Sequence, residues 1–500
     1  MSTEPPSLNS LQSTDSESFF VIGHVMEGLL QIDAEGALAG GVAERWELTD
    51  QGARFWLRKD ARWSDGVAVT AKDFVFAWRT AVDPKTAAPY ASVLYPIANA
   101  RAINSGTLAP ATLGVKAIGD YQLEVRFEAP CPYFLGLTAF MTYMPLRQDI
   151  YQQFGARYAA EANQMVYNGA YTLSRWIHGA SLRMDKNPFY WGRQGVAIER
   201  LDIPYITSDI SALLNLYRDG QIAYIPASLD DQTLEQALTQ GERIRLYSDW
   251  AVIFLEYNHR PGRATAHYGL RHALQQVVDT HTIVNKVVTT PGNRPLYSIF
   301  PSVIKGRQQA FVTEHPPQPV LMDLEQARQE LSRARAELGD FEPLVMLVTD
   351  TPESLKLAEY LQAWLDQSLG LKVVLDKQTF KQRIAKMHSG DFDMVLTAWG
   401  PDFDDPITYG NLFASWNDNN RGRYHSEEYD RLVAVADSTN DSLIRMDAMA
   451  KMQQILIAEA VILPLYERAK PYLMDPRLAR VVRSPFGADP GFRHARILAE

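Results

Sequence analysis

Between Pro343 and Trp399 the hydrophobic pattern changes period four times. "PLVMLVTD" (343–350) is an apolar run of strand length. "PESLKLAEYLQAWLDQSLG" (352–370) places Leu357, Leu361, Trp364, Leu365 and Leu369 on one helical stripe and stops at Gly370. "LKVVLDKQ" (371–378) reads as a second strand, "FKQRIAKMHSG" (380–390) as a second helix and "FDMVLTAW" (392–399) as a third strand. A β-α-β-α-β order is the pattern of a mainly parallel sheet in an α/β architecture, because parallel neighbours need a crossover of helix length.

Open α/β sheets bind ligands beyond the carboxyl ends of their strands. The third strand runs straight into "GPDFDDPITYGN", so Asp402, Asp404 and Asp405 fall at such an end, beside Trp399. Three carboxylates there are open to several readings: a metal site, catalytic acids, a clamp for a cationic ligand, or a solvated turn. The cluster lacks the glycine and distal glutamate of a calcium loop, which makes a divalent ion the minority reading.

The rest of the chain is too long for a single core: 500 residues correspond to about three units at roughly 100–200 residues each. In the first 150 residues, alternation in "ARFWLR" and "DYQLEVRFEAP" gives half-buried strands, and Thr70 precedes a helix from Ala71, an α+β pattern. "NGAYTLSRW" and "ASLRMDKNPFYW" are two more short strands. Ser208 is placed to cap a helix reaching Arg218, and 265–288 is helical in period.

A net charge of −10 without a basic block argues against nucleic acid or an anionic membrane as the main partner. The single Cys131 cannot form an intramolecular disulfide, and no apolar run is long enough to span a bilayer. The apolar stretch 19–32 follows the acidic "TDSES", which is not the basic flank of a secretory leader. P-loop, GxGxxG, GxSxG and HExxH motifs are all missing, which leaves an enzyme without a recognisable nucleophile–base or metal constellation.

At "WSDGVAVTAKDFVFAWRTAVDP" (63–84), and well beyond it on both sides, the chain resembles the oligopeptide-, murein-tripeptide- and dipeptide-binding branch of family 5 of the extracellular solute-binding proteins, which serve ABC importers. "EGLL", "GVAERWE", "TAAPYASVL", "LGVKAIGDYQLEV", "PCPYF", "NGAYTL", "NPFYW", "IVNKV" and "ILPLY" follow in family order over nearly the whole length. The resemblance implies an α/β fold: a bilobal, class II periplasmic-binding-protein-like clamshell with an additional α+β domain. Residues 1–26, 151–250 and 468–500 would form lobe I, 27–150 the additional domain and 251–467 lobe II, with crossings near 250 and 467 as the hinge. It implies a periplasmic monomer whose leader has been removed. Such a protein would need no cofactor or metal and perform no chemistry. It would capture a peptide or peptide-like amine in the cleft between its lobes and deliver it to a membrane permease. The alternative is a modified cationic ligand, bound for uptake or sensing.

Carried over residue by residue, the resemblance makes Asp402 the clamp for the ligand's α-ammonium and Trp399 a pocket wall. Phe380 stands where relatives have a pocket tryptophan. Tyr90, and Phe254 with Glu256 in "IFLEYN", match ligand-lining segments, the latter with strand-like backbone bonds to the ligand. Tyr466 and Ser18 complete the implied set. The chain also departs from the family. Leu396, Met387 and Ser354 stand where relatives carry two arginines and a histidine that hold a peptide's carboxyl end. Ala251 and Gly400 stand where relatives have a disulfide.

Overall fold

The computed structural model describes residues 1, 4–207, 209–225, 237, 239, 241–341, 343–417, 419–486 and 488–499. The expected cap at Ser208 lies outside these residues; the helix Ile210–Arg218 that follows is capped by Asp209, which accepts the Ala212 N–H. The chain divides into two compact units. The first comprises Met1–Pro226, Ser438–Asn440 and Leu473–Glu500, the second Ala227–Asp437 and Asp441–Tyr472.

The first unit opens with helix α1 (Ser16–Val25). A four-stranded antiparallel sheet follows, built from β1 (Ala43–Thr49), β2 (Gly52–Leu57), β3 (Val115–Ala117) and β4 (Gln122–Arg126) in the order β1-β2-β4-β3. Alternation in "ARFWLR" works as expected: Phe55 and Leu57 are buried while Arg54 is exposed. Helix α2 (Ala71–Val82) begins where Thr70 predicts it, and the Asp73 carboxylate accepts the Thr70 backbone N–H at 2.7 Å. Its Trp78 packs edge-on against Tyr143 and Phe134, the centre of this core. A second sheet is the meander β5 (Tyr171–Ile177), β6 (Ser181–Lys186) and β7 (Arg200–Ile203).

The second unit contains the predicted β-α-β-α-β run. Its elements are β9 (Leu344–Thr349), α3 (Pro352–Leu369), β10 (Val373–Gln378), α4 (Phe380–Ser389) and β11 (Met394–Trp399). β9 pairs in parallel with both β10 and β11. Gly370 ends α3 in the left-handed conformation (φ 62°) that a side chain would strain. Thr379 and Gln382 form a reciprocal cap that starts α4. Leu357, Leu361, Leu365 and Leu369 are buried against Met346, Val348, Met394 and Leu396. Trp364 sits half-buried at the edge of this stripe, its indole donating to the Val277 carbonyl at 2.6 Å. Each fully buried leucine contributes about 1.5–3 kcal/mol relative to an exposed one. On the opposite face of the sheet, Met387 of α4 packs with Leu347, Phe392 and Val395.

The sheet as a whole is mixed rather than mainly parallel. Two 13-residue strands, β8 (Arg245–Tyr257) and β12 (Ile462–Met474), extend it antiparallel in the order β12-β8-β11-β9-β10. These strands come from distant parts of the chain, and their antiparallel pairing needs no crossover helix. The helical period over 265–288 also breaks. A helix over Tyr268–Gln275 ends, and the Asp279 carboxylate caps a new turn by accepting the His281 N–H at 3.0 Å.

Candidate functional site

β11 ends at Trp399 because Gly400 and Pro401 follow, and proline has no N–H to continue a ladder. The chain turns through Pro401–Pro406 into the short helix Ile407–Gly410. Thr408 in that helix is 2% exposed and fastens both ends of the turn. Its carbonyl accepts the Trp399 indole N–H at 2.9 Å, and its hydroxyl accepts the Asp402 backbone N–H at 3.1 Å. The next residue, Tyr409, donates its hydroxyl to the Trp250 carbonyl at 2.6 Å. Trp250 lies in an irregularity of β8, between Ser248 and Val252, at φ 60°. Beside it the Asp249 carboxylate takes Arg468 Nη2 and Lys470 Nζ, the latter at 2.8 Å. Burial opposes ionisation of Asp249, but these two cations outweigh it and hold the carboxyl well below the usual range.

The three acids of the loop have three different environments. Asp405 is paired end-on with Arg445 through contacts of 2.7 and 3.0 Å, and both side chains are nearly buried. It also accepts the Ile407 N–H, so it builds the turn. Asp404 is exposed and pairs with the exposed Lys305 at 2.8 Å. Asp402 is half-buried, and among the described residues no cation comes within ion-pair distance of its carboxylate. Burial alone pushes its carboxyl up to about 7. A carboxylate placed this way can take an incoming ammonium as its counter-charge.

The other expected residues fall into separate groups. Trp399 is half-buried at the strand end, joined to Asp402 through Thr408. Phe380 is 64% exposed at the first position of α4, with the Arg383 guanidinium carbon 5.4 Å from its ring centroid. Tyr466 is buried, and its hydroxyl donates to Glu353 Oε1 at 2.9 Å, at the start of α3 next to Ser354. In the first unit Tyr90 packs on Phe140 and Phe19, with centroids 5.4 and 6.5 Å away. Ser18 itself is fully buried, and its hydroxyl donates to Asp15 at 2.8 Å. Within "SFF", then, it is Phe19 and not Ser18 that meets Tyr90.

Phe254 and Glu256 lie inside the sheet of the second unit. Phe254 is buried against Phe413. The Glu256 carboxylate is buried, accepts the Gly422 N–H at 2.6 Å and is pushed up to about 7, mainly by burial. β8 is a central strand whose residues 252–256 pair with β11 on one side and β12 on the other. Neither residue has a free edge on which a ligand could add as a strand.

Leu396 and Met387 are buried in the two apolar clusters, 5% and 2% exposed. Where the resemblance expects a disulfide, a Cβ built on Gly400 would stand 4.0 Å from the Ala251 Cβ, within the span of such a bridge. Among the described residues no group of three or more His, Cys, Asp or Glu side chains is arranged to hold a metal ion. No helix among them is long and apolar enough to cross a membrane. Thr408 was not anticipated, and a threonine six residues after an aspartate carries no signal of its role.

A family model described as "Bacterial extracellular solute-binding proteins, family 5 Middle" matches residues 37–421. The periplasmic oligopeptide-binding protein OppA of Salmonella typhimurium is 32% identical over 90% of this chain and 83% of that protein. The substrate-binding domain of an oligopeptide ABC transporter from Bacillus anthracis superposes with a TM-score of 0.86 at 30% identity, covering 100% of this chain and 98% of that one. OppA of Listeria monocytogenes, solved bound to peptide, gives 0.85 at 28% identity over 100% and 98%. The α/β binding-protein fold implied by the resemblance is therefore the fold of this chain, which belongs to family 5 of the bacterial extracellular solute-binding proteins.

Proposed function

We propose that this protein is the substrate-binding component of an ABC importer, capturing peptides or peptide-like amines and passing them to a membrane permease. The observation that carries this reading is the division of the loop acids. Asp405 and Asp404 are matched by Arg445 and Lys305, while Asp402 meets no cation among the described residues and is held by Thr408 at the carboxyl end of β11. The ligand's α-ammonium supplies the missing charge. Trp399 and Phe380 offer aromatic surface for a side chain, and Tyr90 with Phe19 does the same in the first unit. The relatives' names support the reading: OppA of Salmonella typhimurium is an oligopeptide-binding protein, and OppA of Listeria monocytogenes was solved with peptide. The protein acts as a monomer outside the cytoplasmic membrane and leaves its ligand chemically unchanged.

Native mass spectrometry of the purified protein, followed by denaturing identification of what it carries, would name the ligand. Titration calorimetry then tests the clamp. Asp402→Ala should weaken binding of a free-amine peptide by about 2–5 kcal/mol and leave the fold intact. Unchanged affinity would overturn the clamp role, and slow turnover of the ligand would point to an enzyme. The second reading, a modified cationic ligand, is favoured by the burial of Leu396 and Met387, which closes two places where the resemblance expects a basic group.

A further inference from the structure

One row of alternating charge crosses the four-stranded sheet of the first unit. Glu47 on β1 pairs in register with Arg54 on β2, Arg54 with Glu124 on β4, and Glu124 with Lys116 on β3. Side chains directly opposite one another on a sheet are neighbours. Both acids of the row are already matched: Glu124 takes Arg54 at 2.9 Å, and Glu47 takes Arg45 of its own strand at 3.4 Å. Arg126 follows Glu124 by two residues and so belongs to the same face. Lys116 and Arg126 are exposed, and among the described residues neither forms an ion pair.

These two cations line a groove of about 750 Å³, within the range of small-molecule sites. The backbone leaves room beside Arg126. Its register partner on β2 is Gly52, and on the other side its N–H donates to the Gly114 carbonyl at 2.7 Å, so neither neighbour brings a side chain. Arg79 of α2 lines the same groove. Its Nη2 donates to the Ala111 carbonyl at 3.1 Å, its Nε is buried without a hydrogen-bond partner, and no carboxylate among the described residues pairs with it. A buried donor without a partner calls for an acceptor. Four cations and two acids line the groove, a positive spot on a chain whose net charge is −10.

We propose that this groove binds a small soluble molecule carrying a phosphate group, held by Lys116 and Arg126 with Arg79 beside them. A phosphate offers several acceptor oxygens and more than one negative charge. That suits a set of separate donors better than a single carboxylate does, since arginine forks match its oxygens and lysine adds a point charge. The overall negative charge of the chain opposes approach to an anionic lipid surface and favours a soluble source. All the residues of the groove belong to the first unit, whereas Asp402 and Trp399 belong to the second, so the proposal does not rest on the peptide reading. The alternative is that Lys116 and Arg126 are solvated charges and Arg79 only ties α2 to the Ala111 carbonyl.

Pyrophosphate is the probe that separates the two. Its phosphorus NMR signal is followed as full-length protein is added at constant ionic strength. The wild type should broaden the signal saturably, with a Kd of about 1 mM or lower. Lys116→Gln combined with Arg126→Gln should weaken binding at least about tenfold, and Arg126→Lys should keep part of it. Both positions are exposed, so the variants should melt like the wild type. Absence of saturable broadening with the wild type overturns the proposal whether or not the variants fold, and so does binding that survives the double substitution. A parallel arm sediments the protein with phosphatidylglycerol vesicles. Co-sedimentation without binding of pyrophosphate would overturn the soluble occupant and identify a lipid headgroup instead.

Discussion

The hydroxyl of Thr408 accepts the backbone N–H of Asp402 at 3.1 Å while the Thr408 carbonyl accepts the Trp399 indole. One buried threonine therefore sets both the candidate ammonium clamp and its aromatic neighbour. Thr408→Val keeps the shape but leaves the Asp402 N–H without its acceptor. It should cost about 1–3 kcal/mol of stability and weaken amine binding, and Thr408→Ser should restore most of both. Urea unfolding and calorimetry on the two variants check this.

Asp402 and Glu256 are both pushed up to about 7, by burial first. Between about 4, where the same groups titrate in the unfolded chain, and about 7 the folded protein holds more protons. Ligand-free stability should therefore fall as pH rises across this window and level off above it, and Asp402→Asn should flatten part of the slope. Affinity for a peptide amine should run the other way. It should climb until Asp402 is ionised near 7 and decline above about 8, where the α-amino group loses its proton. Unfolding midpoints and titrations from pH 5 to 9 decide both.

Asp404 and Asp405 are adjacent yet should behave differently. Asp405→Ala removes the end-on carboxylate from the nearly buried Arg445 and should cost about 3–5 kcal/mol. Asp404→Ala breaks only the exposed contact with Lys305 and should cost less than about 1 kcal/mol. Comparable losses in thermal unfolding would contradict this assignment.

The 4.0 Å separation at Ala251 and Gly400 predicts that Ala251→Cys with Gly400→Cys forms a bridge on oxidation. The closed loop is long, so stabilisation of about 2–4 kcal/mol is expected in the oxidised form. Cys131 is buried and should not compete. Peptide mapping and melting curves with and without reductant test it.

The β-α-β-α-β run was legible because strand and helix periods alternate cleanly and Gly370 and Thr379 mark helix boundaries chemically. The long strands β8 and β12 were not read as partners of that run, because antiparallel pairing between segments about 200 residues apart leaves no local period. For the same reason "IFLEYN" carries no local sign of its central place: whether a strand is central depends on what lies on both sides of it.

The sequence by itself determined the architecture of the β-α-β-α-β run, the family, and the placement of an acid cluster beyond a strand end, since each rests on local pattern or on ordered motifs. Only the tertiary structure decided which acid is available. Asp405 is matched from 40 residues away by Arg445 and Asp404 from 99 residues away by Lys305. Asp402 meets no cation among the described residues, because charge pairing follows distance in space, which the order of residues along the chain does not specify.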